Sequence, residues 1–216
     1  TGANNVEVGT YALDANTTAS SNVAVGYSSL GANTTGARNV AMGAEALSAN
    51  TTGGDNVAIG EDALAANTTA SNNTAVGTDS LKINSTGANN LALGAYALAA
   101  ATTADNNTGV GYAALNLNTT GAANVALGAY SLDANTTASY NTGLGYYALG
   151  ANTTGASNVA VGRSSLEVNT TGANNVAIGA TALVANTTGG ENTALGYGSL
   201  GANTTASYNN AVGSVA

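Results

Sequence analysis

The sequence predicts an all-β chain, a parallel β-solenoid (β-roll) of 17-residue coils. Three observations predict it. An Asn followed four residues later by Gly returns every 17 residues along the whole chain. Each return opens a short segment in which apolar residues alternate, as in Asn56-Val57-Ala58-Ile59-Gly60. Only 6% of the residues are charged, where an ordinary soluble domain has about 25%, yet 44% are hydrophobic and recur at fixed intervals.

The period comes first. Units open at Asn5, Asn22, Asn39, Asn56, Asn73, Asn90, Asn107, Asn124, Asn141, Asn158, Asn175 and Asn192. That makes 12 full repeats from Asn5 to Tyr208 with no insertion, and partial repeats at both ends, so residues 1–216 read as one repeat array. A globular core needs a different residue at each core position, whereas a solenoid coil meets only its neighbours and tolerates repetition. Helical repeats need about 33–47 residues, so 17 suits a coil of short strands and turns. Recurrent Gly, Asn and Thr are also poor helix formers. Twelve rungs at the spacing of paired strands predict a rod of roughly 60 Å.

Within the coil the first element is a strand. In Asn5-Val6-Glu7-Val8-Gly9, Val6 and Val8 point one way and Glu7 and Gly9 the other. The Val face is expected to line the core. The opposite face is nearly always Ala or Gly, as at Ala58, Ala92 and Ala177, and is small enough for another backbone to approach. The second element centres on a leucine present in every full unit, among them Leu13, Leu30, Leu47 and Leu64. Two residues later comes another apolar side chain, such as Ala15, Ile83, Leu117 or Val168, expected to join the leucine against the Val face across a thin core.

The turns carry Asn-Thr-Thr, as in Asn33-Thr34-Thr35. Stacking places like residues above one another, so Asn columns are expected to hydrogen-bond along the stack. Asn5, Asn22, Asn39 and Asn56 begin one such ladder. Asn16 and its equivalents make a second, broken once by Ala101, while the threonine column through Thr18 and Thr35 is unbroken.

Composition narrows function. There is no Cys and no His, and most of the 11 acids fall at variable positions expected to face water, so the residues that usually supply a nucleophile or general base are missing and the chain reads as a non-enzyme. Three basic residues, Arg38, Lys82 and Arg163, in a chain of net charge −8 make no nucleic-acid-binding stripe. No apolar run reaches the ~20 residues of a membrane span. The chain begins at Thr1 rather than Met, which predicts a processed product or a piece of something longer.

Three sets of residues invite a functional reading. Glu45, Asp62 and Asp79 share one position of the coil, and stacked carboxylates repel unless a cation intervenes. They are the candidate Ca²⁺ column, against the blander reading of an acidic surface strip. No other cofactor is implied. Asn16, Asn33, Asn50, Asn67, Asn84, Asn118, Asn135, Asn152, Asn169, Asn186 and Asn203 match the N-glycosylation sequon, but a ladder asparagine cannot also carry a sugar, and the ladder reading is preferred. All ten tyrosines sit at variable positions, outward or at an inter-chain seam, where aromatics suit recognition.

The unit Asn56-Val57-Ala58-Ile59-Gly60-x-x-Ala63-Leu64, repeated at Asn175, resembles the head repeats of trimeric autotransporter adhesins. Asn192-Thr193-Ala194-Leu195-Gly196-Tyr197 is similar to the Asn-Thr-Ala-Val-Gly arrays of bacterial and phage tail-fibre-like proteins. The resemblance covers essentially the whole chain, although adhesin head repeats are shorter than these. It implies a left-handed parallel β-roll with three chains about one axis, and hence an extracellular, cell-surface fibre segment that attaches to a host surface or glycan. Two other functions are weighed: the subunit of a head-to-tail self-assembling extracellular filament, and an ice-binding solenoid. The last is disfavoured because the adjacent Thr17 and Thr18 point to opposite faces.

Overall fold

The computed structural model describes residues 2–216 and contains two compact units, one ending at Asn106 and the other running from Asn107 to Ala216. Among the described residues all regular structure is β. The first unit holds β1 (Val6–Val8), β2 (Val23–Val25), β3 (Val40–Met42), β4 (Val57–Ile59), β5 (Thr74–Val76) and β6 (Leu91–Leu93). The second holds β7 (Thr108–Val110), β8 (Val125–Leu127), β9 (Thr142–Leu144), β10 (Val159–Val161), β11 (Val176–Ile178), β12 (Thr193–Leu195) and β13 (Asn210–Val212). Within each unit every strand pairs in parallel with the next, and partners lie one repeat apart, as Val40 with Val57 and Val159 with Val176. The 17-residue period is therefore the coil, and the fold is a parallel β-solenoid.

The coil is numbered here from its opening Asn as position 1. The glycine at position 5 ends each three-residue strand. Gly43 has φ 139°, and a Cβ there would stand 2.4 Å from the carbonyl oxygen of Gly60 in the next coil, so any side chain is excluded. Two tight turns follow. The amide of Ser29 donates to the Gly26 carbonyl at 3.5 Å, and that of Gly31 to the Ser28 carbonyl at 3.2 Å. Their third residues, Ser28 and Leu30, have φ of 52° and 50°, as a type II turn requires. Leucine thus adopts the left-handed conformation in every full coil, from Leu13 at 47° to Leu200 at 50°. That costs about 1–2 kcal/mol per residue. Burying the side chain returns about 1.5–3 kcal/mol, and the amide bonds the next coil, as Leu30 does to Ala46 at 3.0 Å.

The interior differs from the sequence expectation. The Val face of the strands is the outer face. At position 3, Ala24, Ala41, Ala58, Ala75 and Ala92 are fully buried, while Met42 and Leu93 on the other face are 41% and 45% exposed. The leucine packs against the small-residue column instead: a Cβ on Gly143 of β9 would meet Ser131 Oγ at 2.5 Å and Leu132 Cγ at 3.4 Å. The leucine and the two asparagine columns leave room at position 3 inside the stack for Ala or Gly and nothing larger. The small face is consequently filled from within and is not open to a second chain. Position 11 also turns outward, with Ile83, Leu117 and Val168 exposed, because the left-handed leucine interrupts the alternation that would have put both side chains on one face.

Asparagine fills the rest of the core in two ladders. At position 1 the amide of Asn39 donates to Asn22 Oδ1 at 2.9 Å, and Asn39 Nδ2 donates to the Gly53 carbonyl at 2.9 Å. At position 12, Asn50 Nδ2 donates to Asn33 Oδ1 at 2.9 Å and to the same Gly53 carbonyl at 3.0 Å. Two ladders thus converge on one column of carbonyls, and polar side chains are buried with most of their hydrogen bonds made internally, as burial demands, Asn84 Oδ1 and Asn141 Nδ2 excepted. Beside them the position-13 threonine hydroxyls bridge successive coils, as Thr34 Oγ1 does to the Thr51 carbonyl at 3.0 Å, while position 14, from Thr18 to Thr205, faces solvent.

Candidate interaction surfaces

With the core closed by Ala, Leu and Asn, interaction is left to the outward positions. Four features occupy them. The first is the outer strand face at positions 2 and 4. In the first unit it carries the exposed Val6, Val8, Met42, Ile59, Leu91 and Leu93, and in the second Val125, Leu127, Ile178, Leu195 and Val212. In-register pairing sets these in two adjacent columns within each unit, Met42 beside Ile59 and Ile178 beside Leu195. Sequence reasoning placed them inside. A signal was present: position 4 varies freely in size, position 2 accepts Thr at Thr74, Thr108, Thr142 and Thr193, and position 3 is held to Ala or Gly in almost every coil. Tolerance marks the wet side.

The second feature is the acidic column. Asp62 and Asp79 do stack, but the ammonium of Lys82 lies between them, 2.9 Å from Asp62 Oδ2 and 2.8 Å from Asp79 Oδ1. The two carboxylates hold the Lys82 pKa well above its usual range, the hydrogen bond to Asp79 contributing most. The intervening cation is thus supplied by the chain, from three residues beyond Asp79. Glu45 stays exposed, and no group of three acids that could hold a metal occurs among the described residues. A single-coil step also brings Arg38 to Asp55 in a two-point pair, Nε to Oδ1 at 2.6 Å and Nη2 to Oδ2 at 2.8 Å. It raises the arginine pKa and lowers that of the carboxylate, chiefly by hydrogen bonding.

The third feature is the sequon set. Asn33, Asn50, Asn67, Asn84, Asn118, Asn135, Asn152, Asn169 and Asn186 are fully buried, with Nδ2 donating in the ladder, for instance Asn118 to the Gly121 carbonyl and Asn186 to Asn169 Oδ1. A glycan on any of these would require the coil to open. Only Asn16 and Asn203 are half-buried.

The fourth is the tyrosine edge. Eight of the ten tyrosines occupy positions 6 and 7, and Tyr140 and Tyr208 occupy position 17. Neighbouring coils bring the rings together. Tyr11 meets Tyr27 edge-on at 5.8 Å. In the second unit Tyr130 and Tyr147 stack at 4.9 Å with planes 15° apart, and Tyr112 and Tyr146 stand edge-on to them at 5.4 and 4.6 Å. Burial and the surrounding tyrosines raise the Tyr130 pKa. Asp133 lies close by. Its Oδ1 is buried without a partner, and burial raises its carboxyl pKa despite a hydrogen bond from Asn116. Sequence reasoning placed these tyrosines on the surface but did not assemble them, because the contact needs positions 6 and 7 of different coils to be recognised as one edge.

A separate cleft of about 480 Å³ beside Leu200 and Val215 is lined by Gly, Ala, Leu, Val and Asn, with no titratable side chain. No protein-family model matches the chain, and a search of curated proteins finds no match.

Proposed function

We propose that this chain is a non-catalytic structural segment of an extracellular, cell-surface fibre, which associates with further copies of itself through its outer strand face and attaches to a surface through its variable edge. One observation carries the reading: Val, Leu, Ile and Met side chains stand exposed and in register on a parallel sheet, on a chain that fills its own core with Ala, Leu and Asn. Contiguous exposed apolar patches of this kind mark association surfaces. Coils of one period present columns of that period, so a second copy is the partner of matching spacing, and cyclic symmetry closes such a contact. The resemblance to adhesin heads supports three copies.

Sedimentation velocity on the purified chain tests it. The expected result is a discrete homo-oligomer that the double variant Met42→Lys, Ile59→Lys loosens while circular dichroism stays unchanged. A wild-type chain that sediments as a monomer at micromolar concentration would sink the reading. Open-ended polymers that grow with concentration would favour the head-to-tail filament instead.

A further inference from the structure

The tyrosine edge of the second unit has a spacing that selects a ligand. Tyr112 and Tyr146 occupy the same position two coils apart, so about 10 Å of stack separates them at two strand spacings. Between them the Tyr130–Tyr147 pair forms a floor, stacked at 4.9 Å. The outer rings stand nearly at right angles to that floor, at 73° and 83°, and are 48% and 51% exposed. The floor is itself half-buried, and the outer rings rest edge-on against it.

Consider what carries flat apolar faces at this interval. In a β-1,4-linked pyranose chain each sugar is turned half over relative to the last. The same C–H face therefore returns at every second sugar, one disaccharide along, close to the Tyr112–Tyr146 separation. An α-1,4-linked chain curls and keeps no such register. Sugar C–H groups carry partial positive charge and settle on the negative face of an aromatic ring. The polar half of the match is also present. Among the described residues the hydroxyls of Tyr130, Tyr146 and Tyr147 make no hydrogen bond to another protein group, which leaves them to meet sugar hydroxyls. Charge narrows the class. Arg163 is the one basic residue from Asn107 to Ala216, so a polyanionic glycan finds few counter-charges.

We propose that this edge binds a neutral β-1,4-linked glycan lying along the stack of coils, with alternate sugars against Tyr112 and Tyr146. The proposal rests on the attachment half of the function above and supplies its ligand class.

Depletion of the full chain from solution by insoluble cellulose and by chitin tests it, with insoluble starch as the α-linked comparison. The expected result is binding to at least one β-1,4-linked polymer and not to starch. Tyr112→Ala and Tyr146→Ala should each bind about tenfold more weakly, the loss of one stacking platform, and Tyr208→Ala should bind as wild type. Failure of the wild type to bind either β-linked polymer, equal binding to starch, or full binding by the Tyr112 and Tyr146 variants would each overturn it. Sedimentation of the same samples reads self-association independently, so a lost glycan site is distinguished from a lost oligomer, and circular dichroism checks that the variants are folded.

Discussion

Ala101 interrupts the position-12 asparagine ladder, and restoring the missing rung gives a quantitative test of what the ladder contributes. In the coils below, each Oδ1 accepts from the next asparagine: Asn33 from Asn50 and Asn50 from Asn67, both at 2.9 Å. Asn84 Oδ1 should accept next, but its neighbour is the fully buried Ala101, and that oxygen has no partner. An unsatisfied buried acceptor costs about 1–3 kcal/mol and a made hydrogen bond returns about 1 kcal/mol net. Ala101→Asn would supply a donor to Asn84 Oδ1 and a second to the Ala104 carbonyl, which Asn90 Nδ2 already reaches at 2.7 Å. Against this stands the side-chain entropy of ordering one more asparagine, about 1 kcal/mol. The net expectation is a gain of about 1–2 kcal/mol, or roughly 3–6 °C in Tm for a chain of this length. Because repeat arrays open in parts, hydrogen exchange read coil by coil is the sharper assay. Protection should rise in the coils opened by Asn73 and Asn90 and change little near β1 and β2. The converse variant, Asn67→Ala, removes the bonds to Asn50 Oδ1 and the Ala70 carbonyl and should cost about 2–4 kcal/mol. If Ala101→Asn leaves Tm and local exchange unchanged or lowers them, while Asn67→Ala is also mild, the ladder is incidental to stability and packing alone holds the coil.

Further expectations follow from single positions. Ser164→Gly should stabilise by up to about 1 kcal/mol, since φ at Ser164 is 56° and Gly198 already occupies the equivalent position at 62°; a loss in thermal unfolding would contradict the strain argument. Burial raises the Asp133 pKa, so its ionised form opposes folding. The penalty is absent below the ordinary carboxylate range and appears as pH rises through the raised folded value. Asp133→Asn should therefore raise stability at neutral pH by less than about 1 kcal/mol after solvent screening, and leave it unchanged in acid, as paired melts at the two pH values would read. Lys82→Met should cost about 1 kcal/mol by leaving Asp62 facing Asp79, and Ca²⁺ should restore part of that loss in the variant while shifting the wild type little. A clear Ca²⁺ shift in the wild type would instead favour the metal column.

The coil length, the parallel stacking and the identity of the ladder columns were legible because the repeat makes them arithmetic: a period of 17 with no insertion leaves one register. Which face of the strand turns inward was not. Alternation in Val57-Ala58-Ile59 defines two faces and ranks them by hydrophobicity, and the more hydrophobic face was assigned to the core by the ordinary rule. The rule fails here because interior width, set by the two turns and their left-handed leucines, limits what fits. A leucine at φ near 50° is also something propensity argues against, so no local signal announces it. The same blindness hid the Lys82 contacts. They depend on the turn carrying position 10 back beside the carboxylates at position 7, Asp79 in its own coil and Asp62 in the coil before, which strand spacing does not predict.

The narrow interior also accounts for where function sits. A coil that buries Ala, one Leu and two Asn gains little from apolar burial inside it, so its hydrogen-bonded ladders fix register while its apolar side chains are free to lie outside. Those outward positions at 2, 4, 6, 7 and 10 are also the ones whose residues change from coil to coil, from Met42 to Leu93 on the strand face and from Asp62 to Tyr130 on the turn edge. Changing them does not disturb the ladders. The same scaffold therefore accepts an acid–lysine network in the first unit and an aromatic floor in the second, and a substitution confined to Tyr112 or Tyr146 should alter what the edge binds without altering how the coil folds.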